Sequence, residues 1–194
     1  MDANYSEQTI PRNGIYILFE KGETAHGTDR IVRIGTHTGQ DNLRQRLKEH
    51  LFTPNKDRSI FRKHIGRCFL NKNNDPFLAR WDLDLTNREN RLRYKNQINQ
   101  KKLIETENAV TSYMQEKFSF VVFAEPIKSK RCDLETQLIA TVAQCEDCHP
   151  SPSWLGNHHP NSAIKKSGLW NVQGRTKTPL TTSQAKDLAA TLTD

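Results

Sequence analysis

Two short runs of β-forming residues, separated by a polar segment, constrain the fold of this chain more than any other feature. Residues 14–20 (GIYILFE) and 30–35 (RIVRIG) are rich in isoleucine, valine and aromatic residues. The segment between them, 21–29, is polar and contains two glycines. Two such runs joined by a glycine-containing segment predict an antiparallel β-hairpin, here with a long connection.

The stretch after the hairpin has the leucine spacing of an amphipathic helix. Leu43, Leu47 and Leu51 recur every four residues and form one apolar stripe on a helix over 43–51. A third strand is predicted downstream over 118–123, where β-forming residues dominate again. Further helices are predicted over residues 59–69, 102–117, 132–143 and 182–193.

Length and composition limit the class of protein. A chain of 194 residues suits a single domain, 1–194. No apolar run approaches the roughly 20 residues needed to cross a bilayer. Residues 1–13 lack the basic-then-apolar order of a secretory signal and are expected to form a frayed leader. We therefore expect a cytoplasmic protein with no membrane partner, whose four cysteines are reduced thiols.

The charge balance is basic. The 29 lysines and arginines exceed the 22 aspartates and glutamates, which gives a formal net charge of +7. Each phosphate that lysine or arginine neutralises releases condensed counterions, so this charge favours a nucleic-acid partner. An ordinary solvated surface accounts for the same charge equally well.

Four motif elements occur in order along the chain, followed by a candidate for a fifth. They are Gly14-Ile15-Tyr16 on the first strand, Arg33-Ile34-Gly35 on the second, Arg46 with His50 on the first helix, Glu135 on a later helix, and Asn157 beyond it. This order over 14–157 resembles the GIY-YIG nuclease family. The resemblance implies an α+β fold with a small central three-stranded antiparallel sheet flanked by helices. In this chain, a helical, basic insertion would cover about 53–117 and a C-terminal extension 158–194.

The resemblance also implies hydrolysis of phosphodiester bonds with one divalent metal ion, Mg²⁺ or Mn²⁺. Tyr16 matches the family's GIY tyrosine, Arg46 the helix arginine, His50 the histidine after it, and Glu135 the metal-binding glutamate. A carboxylate oxygen suits Mg²⁺, and the fixed fork of arginine donors fits phosphate oxygens. Tyr16 could act as a base only where positive charge favours its phenolate, and His50 could orient Tyr16 or relay its proton.

Arg33 departs from the family's pattern, which has a tyrosine at this position. A guanidinium cannot act as a phenolic base, so we expect Arg33 to hold a scissile phosphate. Some restriction-type members of the family resemble this chain in having a basic residue there. The family's later asparagine is assigned to Asn157, with Asn161 and Asn171 as alternatives, because an amide can fix a loop or a phosphate by hydrogen bonds.

A second cluster contains metal-ligating residue types. Cys145 and Cys148 have the spacing of half a zinc site, and His149, His158 and His159 could complete it. Zinc would then order a region that has little hydrophobic periodicity. The alternative is a pair of reduced cysteines in a polar loop.

Basic residues of the second predicted helix are candidate contacts to a DNA backbone. They are Arg58, Arg62, Lys63 and Arg67. The prediction is therefore a stand-alone, restriction-type endonuclease acting on DNA, with specificity supplied by its own insertions or by a homodimer. The alternatives are a structure-specific repair nuclease, a catalytically weakened nucleic-acid-binding module, and a zinc-stabilised interaction domain without catalysis.

Overall fold

A three-stranded antiparallel sheet forms the centre of the molecule, in a computed structural model that describes residues 10–193. The strands are β1 (Gly14–Ala25), β2 (Thr28–Gly35) and β3 (Phe118–Ala124). β1 lies in the middle and pairs antiparallel with both neighbours, in the order β2-β1-β3. Helices flank this sheet, so the predicted α+β architecture is confirmed.

The hairpin connection is much shorter than the sequence indicates. β1 continues to Ala25 and β2 begins at Thr28, so only His26 and Gly27 form the turn. Both turn residues have positive φ, 53° and 75°, as a two-residue type I′ turn requires. The long polar connection predicted over 21–29 is therefore wrong. Residues 21–25 continue β1, and residues 28 and 29 begin β2.

The helices occupy the predicted segments and several others. Those over 43–51, 102–117, 132–143 and 182–193 are present with small changes at their ends, and the helix predicted over 59–69 continues to residue 72. The helices are α1 (Leu43–Leu51), α2 (Ile60–Lys72), α3 (Leu78–Trp81), α4 (Arg88–Arg93), α5 (Gln100–Lys117), α6 (Lys128–Ala143), α7 (Ser162–Ser167) and α8 (Thr182–Thr193), with a short 3₁₀ helix at Leu155–His158.

The two faces of the sheet pack against different partners. One face carries Tyr16, Leu18 and Val32, which join a large core with α1, α2 and α5. The opposite face carries Ile15 and Ile34 and packs against α6 in a smaller cluster. Successive strand side chains point to opposite faces. The GIY motif therefore divides its two large side chains, isoleucine and tyrosine, between the two cores.

The predicted insertion and C-terminal extension both contribute residues to the core. Phe61 and Ile65, inside the predicted insertion, are fully buried, and so is Trp170 in the predicted extension. The indole N–H groups of Trp154 and Trp170 each donate to Oε2 of Glu20 on β1, at 2.9 Å. The segment around residues 154–170 thus completes the hydrophobic core and is not an appendage to it.

The chain before β1 is packed from residue 10 onward, where the description begins. Ile10 is buried, the carbonyl of Arg12 accepts from the amide of Leu43, and the side chain of Asn13 donates to Asp41 at 2.6 Å. The frayed leader expected over 1–13 is therefore wrong for residues 10–13, while residues 1–9 lie outside the described part. Within the described part, no helix combines the length and apolar character needed to cross a membrane.

Candidate active site

Tyr16, His50 and Ser59 form a buried chain of hydrogen bonds. The Tyr16 hydroxyl lies 2.9 Å from Nε2 of His50, and Nδ1 of His50 lies 2.6 Å from the Ser59 hydroxyl. Ser59 caps α2 by accepting from the backbone amide of Arg62. Three elements, β1, α1 and the start of α2, therefore fix the phenol and the imidazole relative to each other.

Gly35 makes room for the phenol of Tyr16. The two residues are partners across β1 and β2, and a Cβ at residue 35 would lie 2.1 Å from the Tyr16 hydroxyl oxygen. Any larger residue at the end of β2 would therefore displace the tyrosine. This contact gives the glycine of the second motif a steric role in placing the tyrosine of the first.

Glu135 approaches the same end of β2 from α6. Its Oε1 accepts from the backbone amide of Thr36, the residue after Gly35, at 3.1 Å. Burial raises the pKa of this carboxyl, and the charge of Arg33, the Thr36 amide and the charge of Arg46 partly oppose that rise. A largely desolvated carboxylate thus lies within the field of two guanidinium groups.

Arg33 is held by aromatic and backbone groups without any carboxylate pairing to it in the described part of the chain. Its guanidinium carbon lies 4.9 Å from the centre of the Phe61 ring, and Nη1 donates to the carbonyl of Trp170 at 3.2 Å. Nε is buried and makes no hydrogen bond to any residue between 10 and 193. The guanidinium therefore retains donor capacity and an uncompensated charge.

Arg46 lies one helical turn before His50, as the spacing predicts. Its Nη1 donates to the carbonyl of Arg58 at 2.9 Å and lies 3.6 Å from a carboxylate oxygen of Glu49. Its positive charge helps to lower the pKa of His50 and partly offsets the rise in the pKa of Glu135. The structure thus brings Tyr16, Arg33, Arg46, His50 and Glu135 into one neighbourhood.

A cavity of about 540 Å³ opens beside Glu135 and Arg33. Its walls also include His64, Arg67 and Asn171. Tyr16 and His50 are almost fully buried and do not line it. The polar side chains on the cavity are therefore one carboxylate, two guanidinium groups, one imidazole, three amides and one hydroxyl.

His64 and His159 form a buried pair that sequence reasoning missed. His159 accepts at Nδ1 from the amide of Asn161, so its Nε2 carries the proton and donates to Nδ1 of His64, 2.9 Å away. Nδ1 of His64 also accepts from Arg67 at 3.0 Å. These bonds leave Nε2 as the protonated nitrogen of His64. Burial lowers the pKa of His64 to about 2 and that of His159 to about 4.

Asn171, not Asn157, has its side chain on the cavity. The amide of Asn157 donates to the carbonyls of Ser151 and Pro152 within its own loop. The side chain of Asn171 accepts from the backbone N–H of Ile34 at 3.0 Å and donates to its carbonyl at 2.8 Å. Asn161, the other alternative, also lines the cavity, but its side chain accepts from the amide of Ala163. Of the three candidates, Asn171 is the one whose side chain is bonded to β2.

Among the candidate DNA contacts, Arg62 differs most from the predicted exposed position. It is fully buried and pairs with Glu107 of α5 at 2.8 Å, so its prediction as a DNA contact is wrong. Lys63 pairs with Asp57 at 2.8 Å, and Arg67 with Asp82 at 2.7 Å.

Arg58 is the one fully exposed member of the candidate DNA contacts, while Lys63 and Arg67 are partly exposed. Arg62 faces α5 together with the buried side of α2, whereas Ile60 on the same helix is 46% exposed.

The two cysteines of the predicted zinc cluster lie together, but with a different histidine. His26, at the tip of the hairpin, has its ring nitrogen 3.3 Å from both sulfur atoms. His149 and His158 are not part of this group among the described residues, and His159 pairs with His64. His158 and His159 lie elsewhere because His158 ends the 3₁₀ helix and His159 follows it, and this helix packs against α2.

Comparison with known proteins agrees with the motif order. The GIY-YIG domain family matches residues 2–186. Neither the curated proteins nor the solved structures gave a match. A GIY-YIG domain implies nuclease activity on nucleic acids, which is consistent with a carboxylate and several guanidinium groups around one cavity. The chain therefore belongs to the GIY-YIG family.

Proposed function

We propose that this protein is a metal-dependent, restriction-type endonuclease that hydrolyses phosphodiester bonds in DNA at the cavity beside Glu135. The observation that carries the proposal is that the partly buried carboxyl of Glu135 lines the same cavity as Arg33, a guanidinium without a carboxylate partner among residues 10–193. Nε of Arg33 is itself buried and unbonded. An oxygen-rich anion in the cavity would therefore compensate the charge of the guanidinium.

The residues present fit a divalent cation of the Mg²⁺ type. Oε1 of Glu135 accepts from Thr36, and Oε2 has no hydrogen-bond partner within residues 10–193. Mg²⁺ takes one or two carboxylates and keeps most of its waters or binds substrate phosphates. Glu135 would hold the ion through Oε2. When bound, such an ion supplies charge stabilisation to the phosphate and to the leaving oxygen.

Arg33 and Arg67 are suited to hold the phosphate. Both line the cavity with Glu135, and arginine presents donors in a planar fork that matches phosphate oxygens. His64, which lines the same wall, is a neutral imidazole, and its Nε2–H provides a further hydrogen-bond donor. Arg33 would thereby replace the family's tyrosine as a positioning group for the scissile phosphate.

Tyr16 and His50 are suited to handle a proton. Burial and the charges of Arg33, Arg46 and Arg62 hold the pKa of His50 well below its ordinary value. Neutral His50 shares a hydrogen bond with the Tyr16 hydroxyl. Because neither group lines the cavity, the pair would exchange a proton with the attacking water only after a rearrangement on DNA binding.

Cleavage of supercoiled plasmid DNA with Mg²⁺ or Mn²⁺ tests the proposal. We expect nicked and linear products from the wild type, and discrete fragments if cutting is site-specific. Glu135→Gln should lower the rate at least about a hundredfold, because it removes the charge that would hold the ion. Asp133→Asn is the matched control on the exposed side of the same helix and should cut like the wild type.

The same experiment separates the competing functions. No cutting with either metal, together with equal DNA binding by the wild type and Glu135→Gln, would favour a nucleic-acid-binding module. Cutting confined to branched or flapped substrates would favour a structure-specific repair nuclease. Equal cutting of an RNA of the same sequence would contradict the preference for DNA.

A further inference from the structure

The tip of the β-hairpin meets the end of α6 at three metal-ligating side chains. His26 occupies the two-residue turn between β1 and β2, and Cys145 and Cys148 follow the end of α6. Their ligand atoms all lie within 4.8 Å of one another. The histidine is separated from the cysteines by more than a hundred residues of sequence, so the tertiary fold alone brings them together.

The last turn of α6 packs against the sheet through Val142 and Ala143, but hydrophobic burial of the three ligand side chains does not account for their mutual contact. His26 is exposed and the two cysteines are only partly buried. All four cysteines are free thiols in the structure. An exposed imidazole gains little from contact with two neutral thiols, because a thiol is a weak hydrogen-bonding group.

The spacing of the ligand atoms matches tetrahedral zinc. Zinc binds thiolate sulfur at about 2.3 Å and imidazole nitrogen at about 2.0–2.1 Å. Tetrahedral angles then place nitrogen and sulfur about 3.6 Å apart. The observed separations, from Nε2 of His26 to Sγ of Cys145 and of Cys148, are both 3.3 Å. Small side-chain rotations would open space for the ion.

We propose that His26, Cys145 and Cys148 bind Zn²⁺ as a structural site separate from the candidate active site. Binding replaces the two thiol protons, which are released to solvent, so two thiolates balance the charge of the ion. The cluster faces solvent, and a water molecule completes the four-coordinate shell. Two cysteines, one histidine and a water bind zinc in catalytic sites of the alcohol dehydrogenase type, so three protein ligands of these types suffice to hold the ion. The structural role is inferred from the position of the site.

The position of the site indicates what the metal would stabilise. Cys148 begins the segment that leads through Ser151 and Trp154 to Asn171. Beside it, Glu23 of β1 pairs with Arg30 of β2 at 2.5 Å and accepts from the amide of Ser151 at 3.0 Å. Zinc would fasten the hairpin tip to the start of this segment, at the opposite end of β2 from Thr36 and Glu135.

Zinc analysis of the full-length chain tests the proposal. Protein purified under reducing conditions and dialysed against limited Zn²⁺ should retain one zinc ion per chain. Co²⁺ substitution should give the visible absorption of tetrahedral thiolate ligation. Cys148→Ser should abolish both signals. We expect His26→Asn to lower zinc affinity at least about a hundredfold, since it removes one of three protein ligands.

The choice of asparagine keeps the turn intact. Residue 26 has φ of 53°, and asparagine adopts this left-handed conformation readily. Cys132→Ser and His149→Asn are controls of the same residue types and should bind zinc like the wild type. Glu135→Gln should also retain zinc, which separates this proposal from the proposed nuclease function.

Specific results would overturn the zinc site. One is a reduced wild-type protein that holds no zinc; another is His26→Asn with wild-type zinc affinity. Loss of zinc in His149→Asn would also reject this ligand set. A Cys145–Cys148 disulfide that forms readily and persists in the presence of excess Zn²⁺ would instead indicate a redox pair.

Discussion

The Tyr16 hydroxyl lies 2.9 Å from Nε2 of His50 in a part of the core that solvent does not reach. Burial, together with three nearby arginines, keeps the pKa of His50 well below its usual value, so the imidazole is neutral at ordinary pH. Its other nitrogen is fixed by Ser59 at 2.6 Å. The phenol and imidazole are therefore a preorganised pair, and their hydrogen bond is open to direct test.

Replacing Tyr16 with phenylalanine should suppress cleavage while leaving the protein folded. The variant removes the hydroxyl and nothing else from the core, and proton transfer by a positioned group contributes about 10²–10⁴-fold to a rate. It also leaves Nε2 of His50 without its partner, at a cost of about 1 kcal/mol in the free energy of unfolding. Single-turnover cleavage and denaturant melts measure the two effects.

Tyr113→Phe is the matched control for this prediction. Tyr113 is less buried than Tyr16, but its hydroxyl also bonds to a buried partner, since it donates to the carboxylate of Glu20. Its loss should lower stability by a similar amount and leave the cleavage rate unchanged. Equal cleavage by Tyr16→Phe and the wild type would move the proton-transfer role to another group.

Replacing Gly35 with alanine should disrupt the site by steric conflict. The added Cβ would lie 2.1 Å from the Tyr16 hydroxyl oxygen and 2.2 Å from Cζ, and the buried phenol has no free volume into which to move. We expect a loss of about 1–3 kcal/mol in stability, typical of overpacking, and a large loss of cleavage. Gly39→Ala, whose Cβ would meet its nearest neighbour at 3.4 Å, should have little effect on either. A crystal structure of Gly35→Ala with Tyr16 unmoved would contradict this explanation.

Local patterns predicted the elements that carry the motifs. Strands at residues 14 and 30, the leucine stripe of α1 and the helix that bears Glu135 follow from periodicity of 2 and of 3.6 residues, which short-range side-chain placement determines. The relation between Arg46 and His50 follows from helical spacing in the same way. These features depend on a few neighbouring residues, so they can be predicted from a short stretch of sequence.

Long-range placement was not predictable in the same way. Arginine is a residue type that usually lies on the surface. Arg62 is nevertheless buried, because its charge is paired with Glu107, 45 positions away. His26 meets Cys145 only because the hairpin turn contains two residues. Asn171 reaches Ile34 because Trp154 and Trp170 anchor the C-terminal segment on Glu20. Each of these contacts joins distant segments through polar groups, for which hydrophobic periodicity gives no signal.

Alanine at Asn171 should be more damaging than alanine at Asn157. Asn171 satisfies both the N–H and the carbonyl of Ile34, next to Arg33. Truncation leaves two buried backbone groups unpaired, each at a cost of about 1–3 kcal/mol. We expect a lower melting temperature and slower cleavage, because β2 positions Arg33.

Asn157→Ala provides the comparison for this prediction. Its amide contacts only the nearby carbonyls of Ser151 and Pro152, and part of that contact is exposed. The variant should lose about 1 kcal/mol of stability or less and cleave at the wild-type rate. If Asn157→Ala instead stops cleavage and Asn171→Ala does not, the assignment of the family's asparagine returns to Asn157.

Stability should fall as the pH drops below about 6.5. Burial holds the pKa values of His37 and His50 below 6.5, that of His159 at about 4 and that of His64 at about 2. Below pH 6.5 the unfolded chain binds protons at these histidines that the folded chain does not bind, so acid favours unfolding. Each such group contributes a slope of up to about 1.4 kcal/mol per pH unit.

Two buried carboxyls act in the opposite direction and set the size of the effect. Burial raises the pKa values of Glu20 and Glu135, so between 4.5 and those raised values the folded chain binds more protons than the unfolded chain at these positions. They offset part of the histidine slope, and we expect a net loss of about 1–3 kcal/mol per pH unit between pH 6 and 5. Urea melts across pH 5–8 measure this slope. His159→Gln should reduce it by about one proton, because that histidine no longer titrates in the unfolded state. A free energy of unfolding that is the same at pH 5 and pH 7 would show that these imidazoles are protonated in the folded protein.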